Sequence, residues 1–129
     1  MKLSEIQPSQ LFISSEKLAR VLQDFSQSRN EPLPVKRLND LVIYTDGHTR
    51  ALAAYLFGLS EIDVCWDEDE LDWQAYQICV DWCLGVGIQT VADLVGRVIP
   101  AHEYNIKWLA RCDEMHTKLA RQRQAAQKH

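Results

Sequence analysis

The spacing of apolar residues changes character once along this chain, near Trp66, and that change limits the fold more than any single motif. Before it, short runs with the two-residue period of strands alternate with stretches at helical spacing. After it, only helical spacing recurs. Residues 11–13 read as a short strand. Ser14 and Ser15 offer an N-cap ahead of Glu16, Leu18, Val21, Leu22 and Phe25, which repeat at helical intervals. Residues 26–30 are polar and turn-like. Leu33–Leu38 and residues 41–45 read as two strands joined through Asn39 and Asp40, residues that tolerate the positive φ of a tight hairpin. Pro32 and Pro34 put the first of these strands at a sheet edge or at a strand start. A second helix is predicted over residues 49–57, opened by Asp46-Gly47-His48 and closed by Gly58, and residues 62–66 form the next strand.

Beyond Trp66 comes an acidic turn, residues 67–70, and then Asp72 as the N-cap of a helix carrying Trp73, Tyr76, Ile78, Cys79, Val80, Trp82 and Cys83. That helix is expected to end near Gly85-Val86-Gly87. Thr90 caps a short helix through Val95, and Pro100 precedes a long one from Ala101 towards Ala126. No strand is predicted beyond residue 67. The expected fold class is α+β: a small mixed sheet with helices over residues 1–66, then a helical half over 72–126. In domain terms this is an α+β unit, 1–70, with a helical appendage, 71–129, packed on it as one body.

With 129 residues, 47% apolar and 25% charged, the chain has material for a core that needs neither metal nor disulfide. The net charge of −4 argues against a generic nucleic-acid coat, because phosphate affinity rests on surplus Lys and Arg. No apolar run approaches the ~18 residues of a membrane span. Met1-Lys2-Leu3-Ser4-Glu5 has no apolar signal core, so a cytoplasmic location without a membrane partner is expected. Charge is uneven. Between Arg50 and Arg97 there is no base, whereas Lys107, Arg111, Lys118, Arg121, Arg123 and Lys128 crowd the final helix. That crowding suits a helix C-terminus, where the macrodipole favours cations, and it also suits contact with an acidic partner.

One segment points to chemistry: Tyr44-Thr45-Asp46-Gly47-His48-Thr49-Arg50-Ala51-Leu52-Ala53-Ala54. A strand ends in Asp-Gly and a helix starts at once. The first-turn N–H groups of a helix have no intrahelical acceptor and sit at the positive end of its dipole. Glycine allows close approach of a ligand, Thr49 adds a hydroxyl, His48 a ring nitrogen, and Arg50 a fork for phosphate or carboxylate. Together these form an anion cradle. The alternative is an ordinary strand-to-helix turn with no ligand. Asp46 either shares a Mg²⁺ with bound phosphate or caps the helix, and the cap is preferred.

These residues resemble the ParB/sulfiredoxin superfamily. Its Gly-x-x-Arg turn opening a helix of small residues is matched by Gly47-His48-Thr49-Arg50 and Ala51-Leu52-Ala53-Ala54, followed by Gly58-Leu59 and Ile62-Asp63-Val64. Ile6-Gln7-Pro8 is similar to the family's first box, which precedes a helix, and Leu33-Pro34-Val35 to the strand leading into the hairpin. The resemblance spans residues 5–66. It implies nucleotide binding, CTP or ATP with Mg²⁺, with the backbone of Gly47, His48 and Thr49 cradling phosphate and Arg50 pairing with it. Sulfiredoxins carry a catalytic cysteine where this chain has His48, so sulfinic-acid reduction is not expected. In the partition proteins a carboxylate and a base fill the positions of His48 and Thr49, so the expectation is a bound nucleotide or other phosphorylated ligand, with hydrolysis left open.

Cys79 and Cys83 lie at i, i+4, and Cys112 and His116 repeat that spacing. If the two faces met, the four side chains would close a tetrahedral zinc site. Burial in a three-helix core accounts for the same pattern without metal and is the preferred reading. Cys65, next to Trp66, is expected in the core, and His102 on the surface. The acidic, aromatic surroundings predict no low-pKa thiolate. Two further functions compete with phosphate binding. One is a DNA-associated protein, partition- or nuclease-like, using residues 87–96 or the basic final helix. The other is an interaction module docking a partner through Trp73, Trp82 and Trp108.

Overall fold

The computed structural model describes residues 1–28 and 31–127. Strands β1 (Ile6–Gln7), β3 (Leu33–Leu38), β4 (Leu41–Tyr44) and β5 (Val64–Trp66) form one mixed sheet in the order β1-β4-β3-β5. The hairpin β3–β4 is antiparallel, with Val35 opposite Tyr44 and Leu38 opposite Leu41. Its turn works as the composition requires, with Asn39 at φ 55°. β1 and β5 add in parallel on the two sides, Ile6 against Val42 and Leu33 against Val64. A second, two-stranded parallel sheet pairs β2 (Ile13–Ser14) with β6 (Val98–Ile99).

The helices follow their caps. Ser14 Oγ accepts from the Lys17 N–H at the start of α1 (Ser15–Gln23), and Asp72 accepts from the Ala75 N–H at the start of α4 (Trp73–Gly85). Gly47 is the N-cap of α3 (His48–Leu56). That helix closes in a Schellman motif: Leu59 N–H donates to Ala54 O at 3.0 Å, Gly58 N–H to Tyr55 O at 2.9 Å, and Gly58 sits at φ 85°. The small side chains of Ala51, Ala53 and Ala54 are buried, which lets α3 lie close on the sheet. Thr90 and Asp93 form a reciprocal capping box on a 3₁₀ helix, Val91–Arg97. The last helical stretch runs as α5 (Ala101–Tyr104), a π-turn (Asn105–Leu109) and α6 (Ala110–Gln127).

The chain is α+β, with a helical C-terminal half, and one apolar core runs through both halves from Leu3 to Leu119. The halves are also stitched by polar bonds. Gln7 Nε2 donates to Ile88 O at 2.7 Å, and Arg97 Nε to Leu11 O at 2.9 Å. Gln10 Nε2 donates to the Tyr104 hydroxyl at 3.0 Å. Among the described residues no helix is long and apolar enough to cross a membrane.

Several expectations are corrected. A strand does exist beyond residue 67: β6 is only two residues long, too short for a periodic signal, and it depends on β2 for its hydrogen bonds. The strand read over residues 11–13 is displaced to Ile13–Ser14. The polar tract 26–30 is partly helical, as α2 (Phe25–Ser28), with Arg29 and Asn30 outside the described residues. Pro34 starts a strand but not an edge strand, since β3 has neighbours on both sides. In a full antiparallel pair Pro34 would donate to Thr45 O; the Tyr76 hydroxyl of α4 makes that bond instead, at 3.0 Å. Cys65 and Trp66 are exposed on edge strand β5, not in the core, and Trp73 is exposed with Lys36 Nζ 5.4 Å from its ring centroid.

Candidate functional site

The turn after β4 sends its side chains in two directions. Gly47 adopts φ 80°, and a Cβ there would stand 2.6 Å from Leu33 Cδ2. Both the left-handed backbone and the close contact require glycine. Its own N–H is taken by Asp46 Oδ1 at 2.7 Å. Asp46 therefore braces the turn one residue early, and the cap of α3 is Gly47, whose lack of a side chain leaves the first helical turn without a side-chain cap.

His48 points inward. Its side chain is buried, its ring lies 5.3 Å from that of Tyr44, and its Nε2 accepts the Ser9 N–H at 2.9 Å. Acceptance at Nε2 assigns the proton to Nδ1. Burial pushes the imidazole pKa down to about 4, against a smaller upward pull from Asp46. The ring nitrogen expected to meet an anion is committed to the segment around Ser9, so only the backbone of His48 is left for such a role. Thr49 is half-buried in the same first turn.

Arg50 points the other way. Its guanidinium folds back over the helix start, with Nη2 3.4 Å from where a Gly47 Cβ would lie. It faces a cleft of about 240 Å³ lined by Phe25, Glu31, Leu33, Ala54, Glu61 and Asp63, among others. Its ion pair is with Glu31, Nη1 to Oε2 at 3.4 Å, and the Glu31 side chain is 72% exposed. A charge-assisted bond at full strength lies nearer 2.8 Å, so this pair is loose and exchangeable.

A second cleft, about 300 Å³, opens where the turn meets the helical half. Thr45, Asp46 and His48 line one wall, and Asp72, Tyr76, Cys79, Cys112 and His116 line the others. Asp67, hydrogen-bonded by the Thr45 hydroxyl at 2.7 Å, is held below the usual carboxylate range chiefly by that bond. Asp72 is lowered chiefly by Arg123, whose Nη2 lies 2.8 Å from Oδ1.

Of the four side chains considered for zinc, Cys79, Cys112 and His116 share this cleft and Cys83 does not line it. Burial pushes the Cys83 thiol up to about 12. Among the described residues no group of three or more His, Cys, Asp or Glu side chains is arranged to hold a metal ion. Cys79 on α4 and Cys112 on α6 line the same cleft, and their thiols influence each other: the Cys112 thiol, with burial, raises the Cys79 pKa, and the Cys79 thiol lowers that of Cys112. The matching i, i+4 spacings raise a meeting of the Cys79/Cys83 and Cys112/His116 faces, of which Cys79, Cys112 and His116 share the cleft; Glu31 as partner of Arg50 left no sequence signal.

The other proposed surfaces are also located. Within residues 87–96, the helical part belongs to the 3₁₀ helix, with Val91 and Leu94 buried. Trp108 is buried and meets Trp82 edge-on at 6.1 Å, and Trp73 stands apart and exposed. His102 is exposed in the first turn of α5, and His129 lies outside the described residues.

The fold and site define an α+β protein with a glycine-capped helix start and an outward-facing arginine beside it. No protein-family model and no curated protein matches the sequence. Among solved structures, the crystal structure of protein Atu1540 from Agrobacterium tumefaciens is similar at a TM-score of 0.49 and 14% identity over 73% of this chain, which spans 59% of that one.

Proposed function

We propose that this chain is a ParB-like nucleotide- or phosphate-binding protein that holds ligand phosphate at the N-terminus of α3. The observation that carries this reading is the outward guanidinium of Arg50 folded over the left-handed, side-chain-free cap at Gly47. It joins a loosely paired cation to first-turn N–H groups that no side chain caps, and it faces a cleft of about 240 Å³.

The charge of the cleft refines the ligand. One guanidinium stands among the carboxylates of Glu31, Glu61 and Asp63. A bare polyphosphate would meet net repulsion there, whereas a Mg²⁺-loaded one would not, since Mg²⁺ favours hard oxygen ligands shared between carboxylate and phosphate. Glu61 and Asp63 are placed to share such a cation, while Glu31 pairs with Arg50. The roles follow from position: the amides of His48 and Thr49 receive phosphate oxygens, Arg50 pairs with them, and Ser9 and His48 fix the turn from behind.

Calorimetric titration of the chain with ATP and with CTP, with and without Mg²⁺, tests this. Binding that requires Mg²⁺ and is lost in Arg50→Ala is expected; affinity unchanged in Arg50→Ala removes the arginine, and the reading, from the site.

A further inference from the structure

The mixed sheet ends on an open edge at β5. Leu33 N–H donates to Asp63 O and Asp67 N–H to Val35 O, each at 2.9 Å, so residues 63, 65 and 67 turn their backbone groups towards β3. The even-numbered residues turn theirs outward. At the start of this edge the outward groups are paired. Leu3 N–H donates to Ser60 O at 2.9 Å and Ile62 N–H to Met1 O at 3.0 Å, as residues 1–3 run antiparallel alongside. That cover stops at Ile62. Among the described residues no strand takes up the outward N–H and C=O groups of Val64 and Trp66, and the Trp66 side chain is 52% exposed. Unpaired groups of this kind are a template for a further strand.

Charge selects what can add there. Asp67, Glu68, Asp69 and Glu70 follow the strand directly, the first half-buried and the others exposed. The bases of the neighbouring strand are already engaged. Lys36 Nζ lies 5.4 Å from the Trp73 ring centroid and donates to Asp69 O, and Arg37 Cζ lies 5.7 Å from the Trp66 ring centroid. A second copy of this chain is a poor occupant: β5 paired with β5 across a two-fold axis would set each acidic run near Glu61 and Asp63 of the other copy. We propose that the outer edge of β5 is a docking site for an extended basic segment of another protein, added antiparallel along Val64 and Trp66. The added strand continues the course of residues 1–3, so its bases stand N-terminal to the residues that pair, beside residues 67–70. Backbone hydrogen bonds supply the grip, and the Trp66 ring packs against the partner residue opposite it.

Titration of the ¹⁵N-labelled full chain with the peptide Lys-Lys-Lys-Val-Thr-Val-Thr reads out the site. Saturable amide shifts are expected at Val64, Trp66 and their neighbours, and none with Glu-Glu-Glu-Val-Thr-Val-Thr at the same concentration. Val64→Pro removes an outward N–H that the pairing with β3 does not use, so the sheet should stand while affinity falls about three- to tenfold. Glu68→Lys with Glu70→Lys keeps the backbone edge and should weaken binding to a similar degree, a difference that high salt erases. The proposal is overturned if the lysine peptide shifts no amide of β5, if the glutamate peptide binds equally well, if Val64→Pro binds unchanged, or if the chain alone dimerises through this edge. Should Val64→Pro lose the spectrum of a folded chain, the charge-reversed variant decides. The probe carries no phosphate and Arg50 is untouched, so the phosphate reading stands or falls separately.

Discussion

The Ser9 N–H donates to His48 Nε2 at 2.9 Å, so a backbone group near the start of the chain is satisfied by the first residue of α3. Ser9 adds a second tie, its hydroxyl donating to Tyr44 O at 2.9 Å. The turn that aims Arg50 outward is thereby fastened from the inside.

Stability should fall with acid in a defined window. His48 has a folded pKa of about 4, below the 6.5 of the unfolded chain, so the unfolded state binds the extra proton between those values. The contribution is full above pH ~6.5 and is lost as pH drops towards ~4; at ~1.4 kcal/mol per unit it amounts to roughly 3 kcal/mol. Urea unfolding at pH 7 and at pH 5 captures roughly 2 kcal/mol of it, and His48→Gln, which cannot take the proton, should flatten the slope. Asp67 and Asp72, lowered chiefly by Thr45 and Arg123, act at more acid pH and leave this window clear.

Gly47→Ala should destabilise by about 1–3 kcal/mol, because it combines positive φ with a Cβ driven into Leu33 Cδ2. Chemical denaturation is sufficient to check this. The same change at Gly58, also at positive φ but with open space around it, should cost less.

Tyr76→Phe should cost roughly 1–2 kcal/mol, since it leaves Thr45 O without the donor that substitutes for the missing N–H of Pro34. Adding Pro34→Val to that variant restores a strand donor and should recover part of the loss. Additive penalties in the double variant would show that the hydroxyl and the proline are not coupled in this way.

Glu31→Gln frees Arg50 from its loose pair, so nucleotide binding with Mg²⁺ should tighten modestly, by a factor of a few, if the exposed pair contributes under ~1 kcal/mol. Weaker binding would mean that the Glu31 carboxylate serves the cation rather than restraining the arginine.

How much of this was legible in the sequence depends on how local the cause is. Ser14, Asp72, Thr90 and Gly58 act on their own helices through bonds a few residues long, and the hairpin is set by Asn39, so those features could be read directly. The two-residue strands β1, β2 and β6 are too short for a period and form through partners distant in sequence. At the turn, residue types indicated an anion cradle but not which way each side chain faces: His48 is turned inward by Ser9, 39 positions away. Cys65 was expected inside because its neighbours are apolar, yet an edge strand leaves both Cys65 and Trp66 exposed.

Amide chemical-shift mapping tests the central claim most directly. When the ¹⁵N-labelled chain is titrated with Mg²⁺-nucleotide, the largest saturable shifts should fall on the N–H groups of Gly47, His48, Thr49 and Arg50, and Arg50→Ala should abolish them. Saturable shifts centred elsewhere, or no shifts at millimolar nucleotide, would contradict a phosphate site at the start of α3.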